Sequence, residues 1–165
     1  MDESQPEQTR LEPKPIPFII IDDDTEVVES LKALVSKIFP KSEIFEGYNG
    51  EEGWFLIKKQ KVPTIVLSDI FMPIVNGIQL IKKIRTELNE TDGKHPEIYF
   101  IALTSVTDKE SNLKALQSGA NDVLYKPITI DELLGRLRSA SQVLSLKVNL
   151  KKELERNKTL HEDLD

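Results

Sequence analysis

The chain has 165 residues and a formal net charge of −6, from 28 acidic and 22 basic residues. That length suits one ordinary domain with additional segments, and 39% hydrophobic residues suffice for a single core. With no cysteine, disulfides, thiolate zinc sites and cysteine nucleophiles are excluded, and the acidic balance argues against nonspecific nucleic-acid binding or an anionic membrane surface.

Residues 1–15 read as a disordered tail: the stretch is polar and proline-rich, and too little apolar surface is available to offset the entropy of ordering. It lacks the apolar core of a signal peptide, and no later stretch approaches the length of a membrane span, so a cytoplasmic location is expected. From residue 16 to 138, short apolar runs alternate with amphipathic segments, which predicts βαβ units and a parallel sheet. Phe18-Ile19-Ile20-Ile21 is the first strand. Asp24 or Thr25 caps a helix that carries Val27, Val28, Leu31, Leu34, Val35 and Ile38 at helical spacing and stops at Pro40. A second strand covers 43–48, and Asn49-Gly50 turns the chain into a helix over 51–60. Pro63 opens the third strand, Ile65-Val66-Leu67-Ser68, which ends at Asp69. A loop at 70–77 leads to a helix with Ile78, Leu80, Ile81, Ile84 and Leu88. A polar connection at 89–96 precedes strand four, Tyr99 to Leu103. A helix over 108–117 ends at Ser118-Gly119, where glycine suits the left-handed position past a helix end. Strand five covers 122–125, and Thr129-Ile130-Asp131-Glu132 has the pattern of a capping box.

The last helix meets no proline after Pro127 and only one glycine, Gly135. Running from 131 to 164 it would span about 50 Å, more than a domain of this size can cover. Val143, Lys147, Leu150, Leu154, Asn157, His161 and Leu164 follow a 4-3 spacing, so residues 139–165 are expected to form a helical linker and a parallel coiled-coil homodimer. A rival register runs through Leu146, Leu150 and Leu154. The competing reading is an amphipathic helix packed on its own domain.

The polar residues that close the apolar runs carry the chemistry. Asp22-Asp23, Asp69, Thr104 and Lys126-Pro127 each follow a strand. In an open parallel sheet the carboxyl ends of the strands converge on one edge, where ligands bind. Three carboxylates there repel one another unless a cation sits among them, and oxygen ligands favour Mg²⁺. A lysine and a hydroxyl beside them suit a phosphoryl group. Taken singly, Asp24 is a helix cap, Asp69 a turn residue, Thr104 a loop cap and Lys126 a solvated charge. Jointly these readings would require four coincidences at one sheet edge. His95 and His161 lie far apart in sequence, against a histidine metal cluster.

The stretches IIDDD at 20–24, SDIFMPIVNG at 68–77, ALTS at 102–105 and GANDVLYKP at 119–127 resemble the receiver domain of bacterial two-component response regulators. The resemblance covers residues 18–137 and implies a flavodoxin-like, doubly wound, five-stranded parallel sheet of order 2-1-3-4-5. It implies Asp69 as phosphoacceptor and Asp22, Asp23, Asp69 and the Phe71 carbonyl as Mg²⁺ ligands. Lys126 pairs with a phosphate oxygen, Thr104 is the switch hydroxyl, and the Lys126-Pro127 bond is cis. The donor would be a histidine kinase or a phosphotransfer protein. The 157–160 stretch NKTL resembles linkers that lead to diguanylate cyclase domains, so an output domain after residue 165 is expected, with no direct nucleic-acid or membrane contact.

Three positions depart from the family pattern. Asn76 replaces a frequent Asp, Ile128 a frequent Phe, and Val123 a switch aromatic. Phe71 and Val106 are expected to flank the path of the hydrolytic water and to slow loss of the phosphoryl group. Tyr125 shares a face with Val123 but is displaced along the strand. Trp54 reads as packing. Two other classes share part of the pattern. An Asp-nucleophile, Mg²⁺-dependent phosphatase would carry a second Asp two residues after the nucleophile, where this chain has Phe71. A phosphate-independent scaffold would lose the acidic pair or the lysine, and both are intact.

Overall fold

The structure, a computed structural model, describes residues 15–88, 94–105 and 107–163. Residues 1–14 of the expected tail, residues 89–93 at the start of the polar connection, Val106, Leu164 and Asp165 lie outside the described residues. Ten elements alternate: β1 Phe18–Ile21, α1 Thr25–Ile38, β2 Ile44–Gly47, α2 Gly50–Lys58, β3 Thr64–Asp69, α3 Gly77–Glu87, β4 Ile98–Ser105, α4 Lys109–Ser118, β5 Asp122–Lys126 and α5 Ile130–Glu162. The strands form one parallel sheet in the order β2-β1-β3-β4-β5. Fold class and strand order are those expected.

The three central strands are buried on both faces, which is why they read as continuous apolar runs rather than alternating ones. Alternate residues feed two cores. Phe18, Ile20, Ile65, Leu67, Ile101 and Leu103 pack under α1 and α5. Ile19, Ile21, Val66, Phe100, Ala102 and Val123 pack under α2, α3 and α4. Local chemistry sets the helix ends. The Asp24 carboxylate accepts the Glu26 N–H and starts α1, and Asn49 caps α2 in the same way. Asn76 caps α3, with Gln79 completing a reciprocal capping box, so the residue that departs from the family pattern keeps a capping role. Gly119 ends α4 at φ 116°, the left-handed region that glycine adopts without strain.

Helix α5 buries Leu133, Leu137, Ala140 and Leu144 at spacings of four, three and four, so it stays on the domain six residues beyond position 138. Leu146 follows two residues later, about 200° around the helix. Leu146, Leu150, Leu154 and Leu160 all face solvent. Two positions of the expected 4-3 seam are engaged inside the domain instead. Val143 packs against the α1/α5 core, and Lys147 reaches Glu97, which also binds Lys151 at 2.9 Å. The exposed apolar stripe follows the rival register through Leu146, Leu150 and Leu154, because the first core-facing turns fix the rotation of the whole helix.

Candidate functional site

Asp22, the residue after β1, and Asp69, the last residue of β3, meet at the carboxyl edge of adjacent strands. Asp23 stands beside them. One carboxylate oxygen from each of Asp22, Asp23 and Asp69 lies within 4.8 Å of the others. Lys126, the last residue of β5, reaches across to this group, 2.9 Å from Asp22 Oδ2 and 3.4 Å from Asp69 Oδ2. The structure therefore brings together the four charged residues singled out in the sequence.

Their surroundings differ. Asp22 is buried, and both its oxygens are engaged: Oδ1 accepts the Asp24 N–H and Oδ2 the Lys126 ammonium. Asp23 is exposed. Asp69 is buried, and its Oδ1 accepts the Phe71 N–H at 3.3 Å. Burial, with the Asp22 charge behind it, raises the Asp69 carboxyl above the usual range, against the pull of Lys126. Burial alone would lower the Lys126 ammonium, but its bond to Asp22 and the charges of both aspartates outweigh this and raise it.

The loop after Asp69 is held by close packing. The Gly77 N–H donates to Ile70 O at 2.7 Å, and a Cβ on Gly77 would stand 2.4 Å from the Asp69 carbonyl oxygen. Only glycine lets α3 begin this close to Asp69. Phe71 projects outward and is 59% exposed, so its ring is available beside Asp69 rather than packed away. Ile74 has φ 69°, a costly conformation for a β-branched residue, which sequence reading did not anticipate.

Thr104 is buried at the end of β4, and its Oγ1 has no hydrogen-bond partner. A buried hydroxyl without a partner at a sheet edge is suited to a group that arrives there. The Lys126-Pro127 peptide is cis. Val123 is buried, whereas Tyr125, the register partner of Thr104 on β5, is 42% exposed. Trp54 is partly buried against the α2–α4 core, with Lys58 and Lys83 over its ring at 5.3 and 5.1 Å. Among the described residues no helix is long and apolar enough to cross a membrane.

The donor set fits a hard divalent cation: all three side chains offer carboxylate oxygen, and no histidine belongs to the cluster. Chemically, the arrangement offers an oxygen nucleophile, countercharge from Lys126 and a free hydroxyl donor.

Comparison with known proteins agrees. Residues 18–138 match the response regulator receiver domain family. The "Probable C4-dicarboxylate response regulator DctR" of Bacillus subtilis (strain 168) is 30% identical over 145 residues, 88% of this chain and 58% of that protein. The chain thus spans little more than half the length of this relative. A chemotaxis protein CheY homolog of Campylobacter jejuni (subsp. jejuni serotype O:23/36, strain 81-176) is 27% identical over 73% of this chain and 88% of its own. A solved structure is also similar, the co-crystal of the Saccharomyces cerevisiae histidine phosphotransfer signaling protein Ypd1 with the receiver domain of its downstream response regulator Ssk1. It aligns with a TM-score of 0.63 and 25% identity, over 73% of this chain and 84% of that one.

Proposed function

The chain belongs to the response regulator receiver domain family, whose members act in phosphorelay signalling, and on that premise we propose that Asp69 takes a phosphoryl group from a phosphohistidine. The observation that carries this reading is the cluster of Asp22, Asp23 and Asp69 oxygens within 4.8 Å, with Lys126 against two of the three. An Asp69 oxygen attacks phosphorus, the P–N bond to the donor imidazole breaks, and an aspartyl phosphate forms. Lys126 holds a phosphoryl oxygen, and the Thr104 hydroxyl donates to another. Asp22, Asp23, Asp69 and the Phe71 carbonyl would hold Mg²⁺. When bound, Mg²⁺ supplies positive charge that offsets the charge on the phosphoryl oxygens.

The donor is a histidine kinase or a phosphotransfer protein; the Ypd1 complex, in which a similar receiver domain is bound, supports the second choice. We take 16–138 as the domain unit and 139–165 as the linker, whose first turns still pack on the domain through Ala140 and Leu144. The exposed leucines of α5 support a parallel homodimer through that helix, which would pass the signal to an output domain. The resemblance of NKTL at 157–160 favours a diguanylate cyclase in that role. We place the protein in the cytoplasm, consistent with its lack of cysteine.

Incubation with acetyl phosphate and Mg²⁺, followed by intact mass, tests the assignment. A gain of one phosphoryl group that maps to Asp69 is expected. Turnover without gain would indicate a phosphatase, and no change at all a phosphate-independent scaffold.

A further inference from the structure

In a chain of net charge −6, one stretch of surface is basic. The carboxyl end of α2 carries Lys58 and Lys59, with Lys61 just beyond it, and the middle of α3 carries Lys82 and Lys83. Among the described residues none of these lysines forms an ion pair, and neither does Glu87, four residues after Lys83. Elsewhere the cations find partners: Lys32 meets Glu46, Arg136 meets Asp122, and Lys147 and Lys151 share Glu97. Lys58 and Lys59 also complement the α2 dipole, but Lys82 and Lys83 precede the last turn of α3, where the dipole offers little.

The lysines gather on aromatic rings. Lys58, one turn after Trp54 on α2, stands over its indole at 5.3 Å, and Lys83 comes from α3 to the same ring at 5.1 Å. Lys59 lies over the Phe55 ring at 4.0 Å. Phe55 is exposed, as is Val62 beyond the helix end. Two ammoniums held at one indole repel each other, and a carboxylate between them relieves that repulsion. The carboxyl end of α2 leads into the amino end of β3 at Thr64, so Lys58, Lys59 and Lys61 stand at the sheet edge opposite to the aspartates. A partner seated there leaves the Asp69 edge open.

We propose that this α2/α3 face docks an acidic segment of a partner protein, with carboxylates on the lysines and an aliphatic side chain on Phe55 and Val62. The proposal does not depend on the reading of Asp69. A nucleic acid fits the face less well. Its bases need an open ring to stack on, and lysines already lie over both rings. A long polyanion or an anionic membrane also extends beyond the patch and meets the rest of an acidic molecule, whereas a short segment feels mainly the charges within about 10 Å.

The test is a titration of the full chain with a dye-labelled synthetic peptide of glutamates around a central leucine, read by anisotropy. Trp54 is the single tryptophan, so its emission reports independently that the peptide sits at this face. Saturable binding at low salt is expected, with Trp54 emission changing over the same range and no binding of a peptide with glutamine in place of glutamate. Lys58→Glu with Lys83→Glu should weaken binding about tenfold or more, because each reversal turns an attraction into a repulsion of similar size. Should that pair disturb the α2/α3 packing, Lys59→Glu with Lys61→Glu, both at exposed positions, gives the same comparison. No saturable binding, or equal binding by the folded variants, overturns the proposal. So does a single-stranded oligonucleotide that binds more tightly than the peptide and is lost in the same variants, which would make the face a nucleic-acid site. Carbodiimide cross-links from Asp2, Glu3, Glu7 or Glu12 to these lysines in the chain alone would assign the face to the chain's own amino-terminal residues and overturn it too.

Discussion

Lys126 Nζ lies 2.9 Å from Asp22 Oδ2, closer than the 3.4 Å that separates it from Asp69 Oδ2. The lysine thus neutralises the buried carboxylate of the acidic pair first and the proposed acceptor second. Asp22 is almost completely buried, so this ion pair keeps an otherwise uncompensated charge stable.

Lys126→Met removes that compensation. The three carboxylates then repel without a counterion, and the metal-free protein loses about 1–2 kcal/mol, less than a fully buried pair would cost because Lys126 is a third exposed. Millimolar Mg²⁺ should restore most of the loss. The folded pKa of Lys126 is raised, so its contribution is complete below the ordinary lysine value and disappears as pH rises through the folded value. Thermal melts with and without Mg²⁺ check this; a midpoint unaffected by the substitution in the absence of metal would contradict it.

Asp69→Asn is nearly isosteric and removes a carboxylate that folding disfavours in its charged form. It should abolish acetyl phosphate uptake and raise the metal-free melting temperature by about 2–6 °C at neutral pH. Because the folded carboxyl holds its proton to a higher pH than the unfolded one, wild-type stability falls as pH rises through the window above the ordinary aspartate value. The gap between the two proteins therefore closes on acidification. Phosphorylation of the variant at another residue would overturn the assignment of the acceptor.

Phe71 stands exposed two residues after Asp69, with its N–H on the Asp69 carboxylate. An apolar ring there cannot orient a water toward the phosphoryl group. Phe71→Asn should shorten the life of the phosphorylated form several-fold, on the order of 1 kcal/mol of barrier. Decay of the phosphorylated mass over time reads this directly, and superimposable decay curves would remove Phe71 from the mechanism.

The two apolar faces of α5 should separate by mutation. Leu137→Ala, in the core, costs about 2–5 kcal/mol of stability. Leu150→Glu, on the exposed stripe, should leave the melting temperature of the monomeric domain within a degree or two while abolishing self-association in sedimentation. A chain cut after Arg138 loses the buried Ala140 and Leu144 and should be destabilised; one cut after Lys147 keeps them. Unchanged sedimentation of Leu150→Glu would count against assembly through this helix.

Much of this was legible in the residues. Continuous apolar runs marked buried parallel strands, because a strand covered on both faces has no polar side to show. Asp24 and Thr129 announced helix starts through short-range bonds to the second or third following residue. Gly119 marked a helix end because few other residues take positive φ. The positions of Asp22, Asp69, Thr104 and Lys126 at strand ends implied one site, since parallel topology leaves the carboxyl ends on one edge. The strained Ile74 gave no such signal; a β-branched residue in the left-handed region contradicts its own propensity, and only the surrounding loop imposes it.

By itself, then, the sequence determined the order of elements, the fold class and the residues that share the sheet edge. Each follows from local periodicity and strand direction, which are written in nearest-neighbour chemistry. Only the tertiary structure decided that Lys126 leans toward Asp22 and that the Thr104 hydroxyl is buried without a hydrogen-bond partner. It alone showed that α5 remains on the core as far as Leu144 and turns Lys147 to Glu97. These relations join residues as far apart as 22 and 126. They depend on how closely two packed elements approach and how each is rotated, and no spacing along the chain encodes a distance through space.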